Sequence, residues 1–241
     1  MSSNTFHWIA FDADDTLWQN EALYREGRDR FREIVSKYNP RDGIEEYFHE
    51  TEIRNIPYYG YGVMSFVLSM IEAAVDLTEG RIQAEDIQAL IDLSKEMLTT
   101  EVTLFEGVPD LISSLSAAYP LMLITKGDLF HQQRKVEESG LGPYFKSVEV
   151  VSEKTADVYQ EILDRHEVDV DRFVMVGNSI RSDIQPILEL GGWAIHVSPH
   201  LSWDYEGGEI EGPLRERFRE VERLEELPQT IRTLQQRNLS Q

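Results

Sequence analysis

Short apolar runs recur along the chain, separated by longer amphipathic stretches. Each run is only four or five residues long, which is typical of a buried strand and too short for a helix. Between the later runs lie segments of helical length at 130–139, 156–166 and 184–190, the last ended by Gly191 and Gly192. This alternation predicts an α/β fold, with a parallel sheet covered by helices on both faces. The predicted strands are 8–11, 121–124, 148–151, 173–176 and 193–197.

The alternation stops between residue 17 and about residue 106, where helical patterns occur without a clear strand. We therefore divide the chain into a core, residues 1–16 and 107–241, and an inserted all-helical domain, residues 17–106. Because the insert directly follows the first strand, we expect it to lie as a lid over the carboxyl edge of the sheet, where open α/β folds bind ligands. The tail 213–241 is charged and helix-compatible. Two sets of apolar residues with helical spacing support the insert: Val63, Phe66, Val67, Met70, Ile71 and Ala74, and then Ile87, Leu90, Ile91 and Leu98.

The charge balance restricts the possible partners. With 44 acidic and 23 basic residues in 241, the formal charge is -21 and the sequence pI is near 4.6. Such a surface repels polyanions, so we expect neither nucleic acid nor an anionic membrane as a partner. The chain has no cysteine, which excludes disulfides and thiolate chemistry. Without a signal-like segment or a run of about 18 apolar residues, a cytoplasmic enzyme is expected.

Polar side chains follow the strand runs, at the point where each strand ends. Three carboxylates within four residues after an apolar strand are not explained by core packing. The ordinary alternative is an acidic turn, with Asp15 in a left-handed conformation and Thr16 capping a helix. The polar groups at other strand ends favour a shared site instead, since a metal and a phosphate require such a combination. The candidates are Asp12, Asp14, Asp15 and Thr16, then Thr125, Lys154, Asn178 and Asp183.

Such a site is suited to phosphoryl transfer. A carboxylate can attack phosphorus and form an aspartyl phosphate if a cation screens the two negative charges, and Mg²⁺ prefers oxygen ligands of this kind. Two carboxylates about 5 Å apart repel by about 3 kcal/mol at an effective dielectric of about 20, or about two pKa units. We expect the metal to keep Asp12 ionised while Asp14 alternates between acid and base.

The remaining candidates each have an ordinary role as well. Thr125 either binds a phosphoryl oxygen or caps the next helix, and Lys154 either neutralises the phosphate and the carboxylates or is a solvated lysine. Asp183 is placed to bind a metal and also to cap the helix that ends at Leu190. His200 and Trp203 follow the last strand, where a surface loop is the simpler interpretation.

These motifs resemble those of the haloacid dehalogenase-like hydrolases. The segment from Trp8 to Leu17 resembles the family's first motif, an apolar strand followed by DxDxT; the runs that end at Thr125 and Asn178, with Lys154 between them and Asp183 after them, resemble the other three. The resemblance covers about residues 7 to 200 and implies a Rossmann-like, doubly wound parallel sheet with a helical cap of the C1 type. It implies that Asp12 is the nucleophile, Asp14 the acid and base, and that Mg²⁺ is held by Asp12, Asp183 and the backbone carbonyl of Asp14.

Three positions depart from the family pattern. Asp15 stands where glycine is common, although aspartate tolerates the same turn. Asn178 stands where a second acid is frequent, so its amide oxygen either ligates the metal or positions water. Lys154 is not followed by the usual proline, and Lys126, directly after Thr125, is a rival or additional phosphate contact.

The function predicted from these residues is a Mg²⁺-dependent phosphohydrolase acting on a small phosphorylated metabolite. A dehalogenase of the same superfamily has no need of an acid two residues after the nucleophile, so Asp14 argues against that activity. A phosphomutase shares more of the motifs. A phosphate-binding or regulatory protein without turnover is the non-enzymatic alternative; Asn178 favours it, whereas the two neighbouring carboxylates oppose it.

Overall fold

One parallel sheet organises the larger part of the molecule. The computed structural model describes Phe6 and residues 8–38, 42–198 and 204–238. Within these residues, β1 pairs in parallel with β2 and β4, and β5 pairs in parallel with β4 and β6. The five strands expected from the apolar runs are all present, which confirms the α/β prediction. The strands are β1 (Trp8–Phe11), β2 (Leu121–Lys126), β3 (Phe145–Val151), β4 (Phe173–Gly177), β5 (Trp193–Val197) and β6 (Phe218–Val221).

Helices follow or precede each strand and fill the long insert. Those at 130–139 and 156–166 are found within one residue of the predicted bounds. In the described part of the chain, no helix combines the length and the apolar character needed to cross a bilayer. The helices are α1 (Glu21–Ser36), α2 (Ile44–Tyr59), α3 (Val63–Leu77), α4 (Ala84–Thr99), α5 (Val108–Ser116), α6 (Leu129–Glu138), α7 (Ala156–Arg165), α8 (Gln185–Leu190) and α9 (Leu227–Asn238).

The four inner strands of the sheet are buried on both faces, as near-continuous apolar strands require, whereas the edge strands β3 and β6 are partly exposed. Side chains alternate along each strand, so that Ile9 and Phe11 of β1 point to one face and Ala10 to the other. The first face packs against apolar residues of α5 and α9, and the second against those of α7 and α8. The result is a sheet between two helical layers.

The strand order places a topological switch point beside β1. Across the sheet the order is β3-β2-β1-β4-β5-β6, the order of doubly wound nucleotide-binding folds. This confirms the Rossmann-like prediction. From β1 the chain leads to one half of the sheet through β2 and to the other through β4, so a crevice opens at the carboxyl ends of β1 and β4. The residues that directly follow Phe11 and Gly177 therefore lie at that crevice.

The carboxyl-terminal tail differs from its prediction. Residues 213–241 were expected to be helix-compatible, and α9 lies there, but Phe218–Val221 forms strand β6 against β5. This strand is short, and Arg219 and Glu220 interrupt its apolar character. Such a segment resembles a charged helix in sequence, and only its pairing with β5 makes it a strand.

Contacts divide the chain into two compact units. The sheet unit comprises Met1–Glu21, Val102–Thr125 and Gln133–Gln241, and the helical unit comprises Ala22–Glu101 and Lys126–Gln132. The helical unit has an apolar core of its own, in which α2 packs on α3 and α3 on α4. In the sheet unit, the two segments that lead to and from the insert are tied together: Gln19 N donates to Thr103 O at 2.9 Å, and Phe105 N donates to Leu17 O at 3.0 Å.

Candidate active site

A buried ion cluster lies at the switch point. Asp12 is the first residue after β1, and its backbone N–H donates to Val176 O of β4 at 2.8 Å. Lys154 lies between β3 and α7, and its ammonium donates to Asp12 Oδ1 at 2.5 Å and to Asp183 Oδ1 at 2.6 Å. The side chains of Lys154 and Asp183 are each 1% exposed, and that of Asp12 is 9% exposed. The structure therefore brings together three residues that are far apart in sequence.

The protonation of this cluster follows from burial. Burial raises the pKa of Asp12 to about 7, although the Lys154 ammonium acts against the shift. Burial lowers the pKa of Lys154, but the carboxylates of Asp12 and Asp183 outweigh it, so that this pKa is well above its ordinary value. Because both carboxylate oxygens contact the same nitrogen, they lie within about 5 Å of each other. One ammonium thus serves two carboxylates.

Asp183 is held by an unusual turn. Ile180–Ile184 form a single π-helical turn before α8, a feature that often marks functional sites. The helix predicted from residue 184 therefore begins one residue later, and the N-cap of the preceding turn is Ser179, so the interpretation of Asp183 as a cap is wrong. The other oxygen of Asp183 accepts a hydrogen bond from Ser179 N at 3.0 Å. A Cβ atom built on Gly177 would lie 2.6 Å from Asp183 Cβ, so only glycine allows this position.

Thr16 connects Asp12 to Asn178. Its hydroxyl lies 3.0 Å from Asp12 Oδ2 and 3.2 Å from Asn178 Oδ1, and its one proton can be donated to only one of them at a time. The interpretation of Thr16 as a helix cap is wrong, since α1 begins only at Glu21. His196 Nε2 lies 3.0 Å from the backbone oxygen of Asn178, which ties β5 to this loop.

Asp14 and Asp15 have separate surroundings. Asp14 accepts from the Lys135 ammonium at 2.6 and 2.8 Å and from the Trp18 indole N–H at 2.6 Å. Asp15 has a φ of 60°, as expected for the left-handed turn, and its carboxylate accepts from the backbone N–H groups of Asn20 and Glu21. Burial raises the pKa of Asp15 to about 6, although these two N–H groups oppose the shift. Asp15 therefore supports the start of α1.

Thr125 carries an unused donor. It lies at the carboxyl end of β2, and its hydroxyl is buried with no hydrogen-bond partner among the residues that the structure describes. It does not cap α6. A buried hydroxyl without a partner costs about 1–3 kcal/mol, which makes Thr125 a candidate donor to a ligand.

Lys126 belongs to the helical unit, and its ammonium lies 4.1 Å from the centre of the Tyr61 ring. Its predicted contact with phosphate stays a prediction. His200 and Trp203 lie outside the described residues.

Sequence reasoning missed the partners of Asp14. Lys135 is one of several charged residues of an amphipathic helix, and nothing in its spacing distinguishes it from a solvated lysine. Trp18 lies four residues after Asp14, a spacing that apolar packing explains equally well. Only the folded chain places both side chains on one carboxylate.

The donor set fits a hard divalent cation. Asp12 and Asp183 share the Lys154 ammonium, and Asp12 and Asn178 share the Thr16 hydroxyl, so the three side chains place oxygen atoms near one another. Mg²⁺ is usually bound by one or two carboxylates together with water and substrate phosphate. Among the described residues, no group of three or more His, Cys, Asp or Glu side chains is arranged to hold a metal.

Comparisons with known proteins identify the family of the chain. The family model for the haloacid dehalogenase-like hydrolases matches residues 6–191. The N-acylneuraminate-9-phosphatase of Rattus norvegicus is 24% identical over 194 residues, which are 76% of this chain and 78% of the relative. A haloacid dehalogenase-like family hydrolase from Xanthomonas campestris is similar in structure, with a TM-score of 0.87 and 38% identity over 97% of this chain and 94% of that one.

Two more distant structures share the fold. The putative hydrolase YfnB from Bacillus subtilis, bound to magnesium, has a TM-score of 0.68 and 18% identity over 95% of this chain and 99% of its own. A 2-haloacid dehalogenase from Pseudomonas syringae has a TM-score of 0.64 and 21% identity over the same shares of the two chains.

Proposed function

Because this chain belongs to the haloacid dehalogenase-like hydrolases, we propose that it is a Mg²⁺-dependent phosphohydrolase that forms an aspartyl phosphate on Asp12. The observation that carries the proposal is the Lys154 ammonium between the buried carboxylates of Asp12 and Asp183. Stability alone does not explain two buried carboxylates and a lysine, because apolar side chains of similar volume at such positions usually stabilise the fold as much or more. Membership of the hydrolase family supports catalysis as the reason for keeping them.

Asp12 is suited to act as the nucleophile. Its position at the switch point puts it where open α/β folds bind ligands, and Lys154 and Thr16 hold its two oxygens in a defined orientation. Orientation of this kind supplies much of the rate of a nucleophilic attack. Lys154 also balances the charge that an incoming phosphoryl group brings.

Thr125 and Lys154 are the proposed phosphate ligands. The Thr125 hydroxyl lacks a protein partner among the described residues and is free to donate to a phosphoryl oxygen. Lys154 offers an ammonium that already faces Asp12. Lys126, which follows Thr125 directly, is proposed as an additional contact.

We assign the Mg²⁺ site to Asp12, Asp183 and the backbone carbonyl of Asp14, with the Asn178 amide as a further oxygen donor. When bound there, Mg²⁺ supplies the positive charge that lets a carboxylate approach a phosphoryl group. With an overall charge of -21, attraction for a phosphate has to be local, and the Mg²⁺ ion together with the Lys154 ammonium would supply it.

Asp14 is the proposed acid and base. In the first step, Asp12 forms a bond to phosphorus, the bond from phosphorus to the leaving oxygen breaks, and Asp14 gives its proton to that oxygen. In the second step, Asp14 takes a proton from water, which attacks the aspartyl phosphate and releases inorganic phosphate and free Asp12. The sum of the two steps is hydrolysis of a phosphate ester.

The proposed substrate is a small phosphorylated metabolite. The acidic surface disfavours polyanionic partners, and the relative from Rattus norvegicus is by its name an N-acylneuraminate-9-phosphatase. At 24% identity this relative supports a phosphatase activity, and N-acylneuraminate 9-phosphate is a candidate for the panel below.

A phosphatase screen tests the proposal. The purified chain is assayed on a panel of phosphorylated metabolites with Mg²⁺ and with a chelator, beside Asp12→Asn, Asp14→Asn and the control Asp164→Asn, which changes a carboxylate on α7 that pairs only with Gln160 among the contacts described. We expect chelation and both site variants to lower turnover by more than about 1,000-fold, with the control unchanged. Acid-quenched wild type should carry phosphate on the peptide that contains Asp12. Equal turnover by wild type and Asp12→Asn would falsify the nucleophile.

Two further measurements separate the rival activities. Release of halide from 2-haloacids without phosphatase activity would assign the chain to the dehalogenases, a rival that the structural similarity to the Pseudomonas syringae enzyme keeps in view. Tight binding of phosphate without turnover of any panel member would support the non-catalytic alternative, which Asn178 favours.

A further inference from the structure

A second buried lysine is committed to Asp14. Lys135 lies on α6, 121 residues from Asp14 in sequence, and its ammonium contacts both carboxylate oxygens, at 2.6 and 2.8 Å. The Lys135 side chain is 10% exposed and that of Asp14 is 22% exposed. Trp18 Nε1 donates to one of the same oxygens at 2.6 Å, and Asn20 Oδ1 accepts from the ammonium at 3.3 Å. We call Lys135 and Trp18 the Asp14 clamp.

The clamp is not needed to form the loop that carries Asp14. That loop is closed by its own backbone, since Leu17 N donates to Ala13 O at 2.8 Å and Asp15 N donates to Trp18 O at 2.7 Å. The Asp15 carboxylate then binds the N–H groups at the start of α1. Lys135 takes no part in these backbone bonds; its short contacts are with the two Asp14 oxygens and its longer one is with Asn20 Oδ1, so its main effect falls on the direction in which the Asp14 carboxylate points.

The two lysines divide the carboxylates between them. Lys154 contacts Asp12 and Asp183, whereas Lys135 contacts Asp14. A buried ion pair is by itself weak evidence for a stabilising role, because the cost of desolvation is comparable to the attraction. A lysine that grips both oxygens of one carboxylate does, however, restrict the rotation of that side chain. Restricted rotation matters most for a group that must transfer a proton along a defined line.

We infer that Lys135 is a positioning residue for proton transfer by Asp14, an inference that rests on the function proposed above. The clamp holds the Asp14 carboxylate so that one oxygen faces the leaving group in the first step and the attacking water in the second. Lys135 exchanges no proton and touches no substrate atom. Its loss therefore affects those steps in which a proton must move, and spares a step that needs none.

Two leaving groups separate these cases. An alkyl phosphate from the metabolite panel needs a proton on its departing oxygen, whereas 2,4-dinitrophenyl phosphate releases a stable anion. Release of the leaving group is measured in a single turnover, which isolates the first step, for wild type, Lys135→Met and Asp14→Asn. We expect Lys135→Met to slow release from the alkyl phosphate by about 100-fold and release from the dinitrophenyl ester by less than about threefold. Asp14→Asn should show the same selectivity, more strongly.

The controls distinguish positioning from folding. Arg134→Met, which removes an exposed cation of the same helix that pairs with Glu138, should leave both rates unchanged. Trp18→Phe, which removes the second donor of the clamp and keeps an aromatic ring, should give a weaker form of the selectivity of Lys135→Met. Lys135→Arg, which keeps a cation with two donors, should recover part of the alkyl phosphate rate.

Each outcome decides the inference. Equal slowing of both esters by Lys135→Met would overturn the inference, because the lysine would then serve binding. No slowing of either ester would overturn it, because the lysine would then have no role in the reaction. Failure of both Lys135→Met and Lys135→Arg to fold would overturn it, because the lysine would then serve stability. A wild type that releases neither leaving group through Asp12 would instead refute the proposed function. If Asp14→Asn slows the alkyl phosphate selectively and Lys135→Met does not, the role of Lys135 is refuted and the proposed role of Asp14 stands.

Discussion

Replacing Lys154 by methionine tests the buried cluster most directly. The substitution keeps most of the side-chain volume and removes the ammonium that Asp12 and Asp183 share. With their oxygens within about 5 Å of each other, the two carboxylates repel by about 3 kcal/mol at an effective dielectric of about 20. Removal of one partner from a buried ion pair costs about 3–5 kcal/mol in all. We expect a loss of this size in the free energy of unfolding at pH 8 in the presence of a chelator.

The effect of pH on this loss has a definite sign. The pKa of Asp12 is raised to about 7 in the folded protein, so the folded state binds the proton more tightly than the unfolded state. In wild type without metal, this group therefore lowers stability as pH rises from about 4 to about 7. Without Lys154 its pKa rises further, and the decline extends above pH 7. At pH 5, Asp12 is protonated and the repulsion is absent, so the gap between variant and wild type should narrow by up to about 3 kcal/mol.

Urea unfolding followed by tryptophan fluorescence measures this gap. Trp8, Trp18 and Trp193 all lie in the sheet unit, so the signal reports on the unit that contains the cluster. Arg134→Met is the matched control, because its pair with Glu138 is at the surface and is worth less than about 1 kcal/mol. Equal midpoints for Lys154→Met and wild type at pH 8, or the same gap at pH 5 and pH 8, would refute the reasoning.

Three further substitutions have expected outcomes. Thr125→Val removes a buried hydroxyl without a described partner, so the free energy of unfolding in urea should rise by about 1 kcal/mol or more, while kcat/KM for phosphate esters falls about 10-fold; a lower free energy of unfolding would contradict this. Gly177→Ala should displace Asp183, lower the free energy of unfolding by about 1–3 kcal/mol and lower turnover. Gly142→Ala is the control, since Gly142 has room for a methyl group, and it should change neither quantity. Asp15→Asn should abolish the part of the decline in stability between about pH 4 and pH 6 that comes from the raised pKa of Asp15, as seen in urea midpoints across that range; an unchanged decline would exclude Asp15 as its source.

The sequence by itself determined the sheet and the approximate place of the site. Four of the five strands stood out because inner strands buried on both faces are nearly free of polar residues, and the fifth, the edge strand β3, was recognised although Glu149 lies within its run. The same rule explains the failure at Phe218–Val221, an edge strand with Arg219 and Glu220 in it. Residues that follow strands were recognised as a group because parallel strands present their carboxyl ends to one edge.

Only the tertiary structure decided which side chains meet. It placed Lys154 between Asp12 and Asp183, gave Asp183 a π-helical turn in place of a cap, and set Lys135 on Asp14. The contacts of Asp12 and Asp14 join residues more than 100 positions apart, and the contact between Lys154 and Asp183, 29 positions apart, depends on the π-helical turn. Local patterns of hydrophobicity and charge report on burial and periodicity within a segment, whereas the partner of a buried charge is chosen by the packing of segments distant in sequence.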